Sequence, residues 1–322
     1  MEAQEIQLQE LNVEAFIDEQ VKAIGDAVGD GLAVNALSGG VDSSVVTLLG
    51  HRALGDRLKT YFIENGLMRE GEPQYVVDVF AEMGVKVEIV DAKDQFFGAL
   101  KGVTDPEEKR DKGITNVFYK DVFGKLVKDC GANVLLQGTN YTDVEETLTG
   151  VKRQHNILEQ LGIDTVEVYG YTVLEPIVQL RKPAVRAVGE ALGLPEEIFS
   201  RPPFPGPALA ARVIGAVTPE RIALVRAATT IVEAELCDSG AFQYLAILHE
   251  DRVTGLRGGK RDFGYQIEVR CWDSTDAVTG TPTDLPFDVL RRLAGRIIVE
   301  VPGVVSVTYN IAPKPPSCIE AV

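Results

Sequence analysis

Ser38-Gly39-Gly40-Val41-Asp42-Ser43-Ser44 stands between an apolar run, Leu32 to Leu37, and a helix-like stretch that continues from Val45 towards Gly55. The run before it has the length and bounds of a buried strand. Strand, glycine-rich turn and helix together make a phosphate cradle. Glycines let the backbone come close, free amides point at the ligand, and the helix N-terminus favours negative charge. Asp42 would repel a phosphate placed directly on it. Its natural use is to hold Mg²⁺ between itself and phosphate oxygens.

The Gly-Lys-Ser/Thr ending of the Walker loop is missing. SGGVDSS instead resembles the pyrophosphate loop of the ATP pyrophosphatases, which activate a substrate oxygen by adenylylation and release pyrophosphate. A turn that merely carries two glycines is the plain alternative, and the full string after a buried strand tells against it.

Going outward from the loop, the chain alternates strands and helices. Phe16, Ile17, Val21, Ile24 and Val28 recur at helical spacing before it. After it come a strand over 58–63, a helix over 72–83 and a strand over 85–90. A short helix is expected over 94–102, a longer one from Asp105, and a strand over 133–139. Such alternation predicts a doubly wound parallel sheet with helices on both faces, and ligands outside the strands' carboxyl ends. Backbone groups near Ile63 are then expected to border adenine. Gly138 sits where a ligand comes close or where the chain simply turns. Residues 141–172 read as irregular, either a lid or a solvated loop. Lys182 and Arg186, a helical turn apart, either face phosphates together or begin an exposed helix.

Arg201-Pro202-Pro203-Phe204-Pro205-Gly206-Pro207 is unable to form a helix and marks a boundary, giving domains 1–203 and 204–322. Beyond it, Thr218-Pro219-Glu220 caps a long helix, and strands are expected over 244–248 and 265–272 with a basic-flanked turn at 257–262. A helix over 286–299 and a strand over 304–311 follow. This reads as a small α+β domain with an antiparallel sheet whose free face suits a second copy.

Composition narrows the function. The chain has 32 Lys and Arg against 48 Asp and Glu, a net charge of −16, so no basic surface for a polyanion stands out and no nucleic-acid partner is expected. Cys130, Cys237, Cys271 and Cys318 have neither pairing nor metal-ligand spacing, as suits a reduced cytoplasm. No stretch is apolar for the length of a bilayer, and no secretory signal opens the chain, so a cytoplasmic protein without a membrane partner is expected. His51, His155 and His249 are too scattered for a zinc site or a hydrolase triad, and His155 is the better functional candidate.

From about residue 10 to the C-terminus the sequence resembles GMP synthase, in its ATP pyrophosphatase part with the attached dimerisation domain. The matching strings are SGGVDSS, Ile63-Glu64-Asn65-Gly66-Leu67-Met68-Arg69 and Asp105-Pro106-Glu107-Glu108-Lys109-Arg110. Gln137-Gly138-Thr139, Leu192-Gly193-Leu194-Pro195, Arg201 with Pro203 to Pro207, and Lys314-Pro315-Pro316-Ser317-Cys318-Ile319-Glu320 complete the set. The resemblance implies a ligase with an adenine nucleotide alpha-hydrolase-like sheet. XMP O2 attacks the α-phosphorus of Mg-ATP, and ammonia then displaces AMP to give GMP. Carried over by position, Ser38, Gly39, Gly40, Val41, Asp42, Ser43 and Ser44 hold pyrophosphate and Mg²⁺, with Asp42 and Lys182 catalytic. Ile63 and Gly138 border adenine. Lys314, Ile319 and Glu320 contact the purine nucleotide across the interface of a homodimer, and Arg201 and His155 belong to the same nucleotide site. With no glutaminase domain ahead of Ser38, a separate glutaminase subunit or free ammonia is implied.

The chain departs from the family's strings in its nucleotide half. Asn116 and Ser306 stand where arginines are expected, and Lys152-Arg153-Gln154-His155-Asn156 keeps only part of the lid motif. Arg153 or the Lys260/Arg261 pair are the substitutes at hand. These losses keep a second reading open, a paralogue adenylylating another acceptor, for example in sulfur transfer, with Cys318 the cysteine to test.

Overall fold

The structure, a computed structural model, describes residues 4–110, 117–118, 121–148, 171–199, 204–275 and 279–321. The chain forms two compact units. The first comprises Met1–Glu64, Glu72–Asp91 and Phe118–Arg201; the second comprises Asn65–Gly71, Ala92–Val117 and Pro202–Val322.

Helix α1 (Val13–Val28) starts at Asn12, whose side chain accepts from the Ala15 amide at 3.1 Å, and turns Phe16, Ile17, Ile24 and Val28 inward. Then come β1 (Ala33–Ala36), α2 (Val41–Leu54), β2 (Leu58–Glu64), α3 (Glu72–Glu82) and β3 (Val87–Asp91). Two short helices, α4 (Lys93–Leu100) and α5 (Pro106–Arg110), lie in the second unit. The first unit resumes with α6 (Gly124–Cys130), β4 (Val134–Leu136), α7 (Tyr141–Leu148), β5 (Thr172–Leu174), α8 (Lys182–Ala191) and α9 (Glu196–Phe199).

The five strands pair in the order β3-β2-β1-β4-β5, all parallel. The expected wound sheet is present. Its strand order reverses between β1 and β4, and in such sheets the crevice at that reversal receives the ligand. Val45, Val46 and Leu49 of α2, Ala184, Val185 and Val188 of α8, and the inward face of α1 share one buried core with β1 and β4. That core fixes the starts of α2 and α8 over the same end of the sheet.

The stretch expected to be irregular begins with a helix. Asn140 caps α7: its side chain accepts from the Thr142 and Asp143 amides at 2.9 and 3.2 Å, and Asp143 accepts from the Asn140 amide at 3.1 Å. This reciprocal pair is a capping box with Asn and Asp in its two places. Residues 149–170 lie outside the described residues.

In the second unit, α10 (Pro219–Leu236) begins at Thr218, which accepts from the Arg221 amide at 3.3 Å. The two expected strands are far longer than the sequence suggested. Strands β6 (Gln243–Arg257) and β7 (Lys260–Asp273) form one hairpin closed by Gly258 and Gly259, both at positive φ, as a two-residue turn requires. After β8 (Thr281–Pro282) and α11 (Phe287–Glu300), β9 (Val304–Tyr309) pairs with β7 in parallel. The sheet is therefore mixed rather than antiparallel.

Within the second unit, the segment that follows β2 is held by α10 and the proline-rich stretch. Arg226 of α10 donates to the carbonyls of Gly66 and Met68 at 2.6 and 2.8 Å, and Arg69 pairs with Glu233 at 2.7 Å while lying over the Phe204 ring.

Candidate active site

The SGGVDSS string leaves β1 and enters α2, with Gly40 as N-cap and no side-chain cap. Gly39 takes φ +79°, and a Cβ there would lie 2.8 Å from Val76 Cγ2 and 3.0 Å from Glu72 Oε1. Both the backbone angle and the approach of α3 demand glycine. The first i→i−4 bond runs from the Ser44 amide to the Gly40 carbonyl at 3.0 Å, which leaves the preceding first-turn amides ahead of the helix ladder.

The loop is braced from within. Ser43 Oγ donates to the Gly40 carbonyl at 3.0 Å and accepts from the Ser38 amide at 3.2 Å, and the two hydroxyls of Ser38 and Ser43 lie 3.0 Å apart. Beneath them runs a buried polar chain. Thr60 of β2 donates to Asn35 of β1 at 2.8 Å, Asn35 to Thr47 of α2 at 2.6 Å, and Thr47 to the Ser43 carbonyl at 2.7 Å. These residues are essentially solvent-free, so the chain ties two strands to the loop in a low-dielectric setting. The sequence reading missed it, although Asn35, Thr47 and Thr60 are polar residues inside apolar runs.

Asp42 is the chemical centre of this arrangement. Its Oδ2 pairs with Lys182 Nζ at the first turn of α8, while its Oδ1 is buried and has no hydrogen-bond partner among the described residues. Ser44 Oγ is likewise buried without a partner among the described residues. A buried carboxylate oxygen left unpaired is costly, and a hard cation with oxygen preference relieves that cost. The residues fit Mg²⁺. No cluster of three metal-ligating side chains occurs among the described residues, and Mg²⁺ takes one or two carboxylates plus substrate phosphates rather than a protein cage.

Gly138, just past β4, is pressed against the same turn. A Cβ there would lie 3.1 Å from the Asp42 carbonyl carbon and the Ser43 nitrogen. Ile63 is buried near the end of β2, in register with Val90 of β3. Arg181, next to Lys182, is held by Glu5 and Glu145 at 2.8 and 2.9 Å, which raises its pKa and ties it away from the loop. Thus Ser38 to Ser44, Gly138 and Lys182 meet at the sheet's reversal point.

The proposed nucleotide residues divide differently. Asn116, His155 and Arg201 lie outside the described residues. In the second unit, Ile319 is buried with Leu245, Ile247 and Trp272. Glu320 accepts from Arg212 twice at 3.3 Å and from Gln243 at 2.9 Å. Lys314 exchanges backbone hydrogen bonds with Gly280 at 2.9 and 3.0 Å and borders a cavity of about 540 Å³ with Asp273, Ser274 and Thr281. Ser306 is half-buried in β9, opposite Gln266.

A parallel sheet with this loop at its switch point, in a chain that also carries a separate α+β unit, defines an ATP-using α/β enzyme of the pyrophosphatase-loop type. The profile of the GMP synthase C terminal domain matches residues 230–321. The chain is 47% identical over 310 residues to a subunit of the glutamine-hydrolyzing GMP synthase of Archaeoglobus fulgidus, covering 96% of this chain and 99% of that one. It is 46% identical to the subunit of the same name from Pyrococcus furiosus, covering 95% and 97%. A solved NH3-dependent NAD synthetase from Campylobacter jejuni overlaps 59% of this chain and 77% of its own at 17% identity and a TM-score of 0.45, too distant to argue from. The chain belongs to this family of GMP synthase subunits.

Proposed function

We propose that this chain is the synthetase component of a two-subunit GMP synthase. It is a ligase of purine biosynthesis that uses ATP to aminate XMP to GMP, with glutamine hydrolysis left to a separate subunit. The observation that carries this reading is the near-full-length identity of 47% to a subunit of a glutamine-hydrolyzing GMP synthase, joined to an SGGVDSS loop built at the switch point.

The chemistry divides into two displacements. XMP O2 forms a bond to the α-phosphorus of ATP as the bond to the bridging oxygen breaks, and pyrophosphate leaves. Ammonia then adds at C2 and AMP departs with O2. The first-turn amides of α2, that of Ser43 among them, the Ser38 and Ser44 hydroxyls and Lys182 receive the charge of the departing pyrophosphate, while the Ser43 hydroxyl braces the loop. Asp42 holds Mg²⁺, which when bound neutralises the phosphates and orients them. Ile63 and Gly138 border the adenine. Lys314, Ile319 and Glu320 contact the acceptor nucleotide, with Arg201 and His155 assigned to the same nucleotide by the family's motifs.

The active form is a homodimer through the second unit. Leu256 and Phe263 on the hairpin and Phe287 and Val299 on α11 are apolar and exposed, which supports a second copy there. No helix among the described residues is long and apolar enough to cross a membrane.

The test is exchange of labelled pyrophosphate into ATP with ammonia withheld. Exchange that requires XMP supports the adenylyl-XMP route. Exchange without XMP, or with another acceptor in its place, contradicts it.

A further inference from the structure

Arg270 sits on β7 with its guanidinium turned towards the C-terminal tail. One of its nitrogens, Nη1, donates to the carbonyl of Cys318 and, at 3.2 and 3.3 Å, to those of Ile319 and Glu320. The guanidinium is itself aimed. Its Nε donates to Glu268 Oε1 at 2.6 Å, two residues away on the same strand face. Asn310 donates to that oxygen at 3.0 Å, and His249 Nε2 lies 2.8 Å from the other oxygen, Oε2. Burial alone would raise the pKa of Glu268, but the hydrogen bonds from His249, Arg270 and Asn310 and the Arg270 charge outweigh it and hold the group down to about 2. It is a carboxylate at neutral pH.

Three successive carbonyls on one cation fix a chain's path more tightly than any single side-chain contact. Beside them Ile319 is a buried plug and Glu320 is gripped by Arg212 and Gln243.

We propose that Arg270 is a positioning residue for the amination of XMP, aimed by Glu268, His249 and Asn310, and that it sets the docked path of residues 318–320 on which acceptor binding depends. This rests on the reading that the tail contacts the nucleotide. The role assigned to Arg270 and Glu268 is to act through the tail that Arg270 holds.

The test uses the full chain with ammonium as nitrogen source, comparing wild type with Arg270→Lys, Glu268→Gln and Lys314→Ala. Arg270→Lys keeps the charge but loses the planar fork. It is expected to raise KM for XMP ~10-fold or more while KM for ATP stays within about twofold. Amide hydrogen exchange at 317–321 should accelerate about tenfold in the same variant. Glu268→Gln should do both to a smaller extent, with α10 and the β6–β7 pairing unchanged in exchange. Unchanged tail exchange in Arg270→Lys overturns the positioning role. Accelerated exchange with an unchanged KM for XMP, while Lys314→Ala raises it, overturns the link between tail path and acceptor binding. If Lys314→Ala also leaves KM for XMP unchanged, the tail is not the nucleotide site, and the proposal falls with that reading rather than on its own geometry.

Discussion

The loop at Ser38–Ser44 and the tail at Lys314–Glu320 are both proposed to handle charged nucleotide, yet their polar groups are treated in opposite ways. At the loop, Asp42 Oδ1 and Ser44 Oγ are buried without partners among the described residues, and the helix ladder begins only at Ser44. At the tail, the carbonyls of 318–320 are held by Arg270 and the Glu320 carboxylate by Arg212 and Gln243. The difference separates two kinds of work. A site that stabilises developing charge keeps donors and acceptors waiting, because bonds already made inside the protein cannot also be made to the transition state. A strap that recognises a ground-state ligand gains from being satisfied internally, since a fixed path costs less entropy on binding.

The sharpest way to break this contrast is Asp42→Ala. The account expects kcat for GMP formation to fall by ~10³-fold with native stability retained, measured by turnover and urea denaturation. Next comes Lys182→Met, which removes one charge-assisted contact and should cost about 10–100-fold in kcat/KM for ATP while KM for XMP is unchanged. Asn35→Val cuts the buried chain beneath the loop and strands Thr47 and Thr60, so urea unfolding should show a loss of about 1–3 kcal/mol. Gly39→Ala forces a side chain onto φ +79° and against Val76, and should destabilise by about 1–2 kcal/mol with a raised KM for ATP. The smallest effect concerns the tail. Glu268 has an ordinary value of 4.5 and a folded value of about 2. Its contribution to stability is thus complete above 4.5 and lost as pH falls towards 2. Glu268→Gln should flatten the acid side of the stability curve by up to about one proton's slope across that window, read by denaturation at successive pH values.

Much of the first unit was legible because its signals are local. The buried run before Ser38, the two glycines and the carboxylate at the helix start lie within one short string, and the alternation of strands and helices dictates a parallel sheet. Lys182 was readable as a cation at a helix start. What it pairs with was not, since only the sheet order brings α8 beside α2. The hairpin's length was hidden because Asp251, Arg252, Arg257 and Arg261 occupy an exposed ribbon with no buried face to impose alternation. The capping box of Asn140 and Asp143 was hidden because it opens a stretch, residues 141–172, that read as irregular, either a lid or a solvated loop. Arg270 was missed for a different reason: its partners are backbone carbonyls some fifty residues further on, and carbonyls leave no mark in sequence. Glu268 and Arg270, two charges spaced by two in the otherwise apolar run Ile267 to Trp272, were the available signal.

The measurement that tests the central claim most directly is turnover of the full chain with Mg-ATP, XMP and ammonium, with GMP, AMP and pyrophosphate followed together. The account predicts the three products in equal amounts, and none of them without XMP, despite Asn116 and Ser306 standing where arginines are expected. ATP cleavage to AMP and pyrophosphate without GMP, or GMP formed with ADP and phosphate instead, would contradict it.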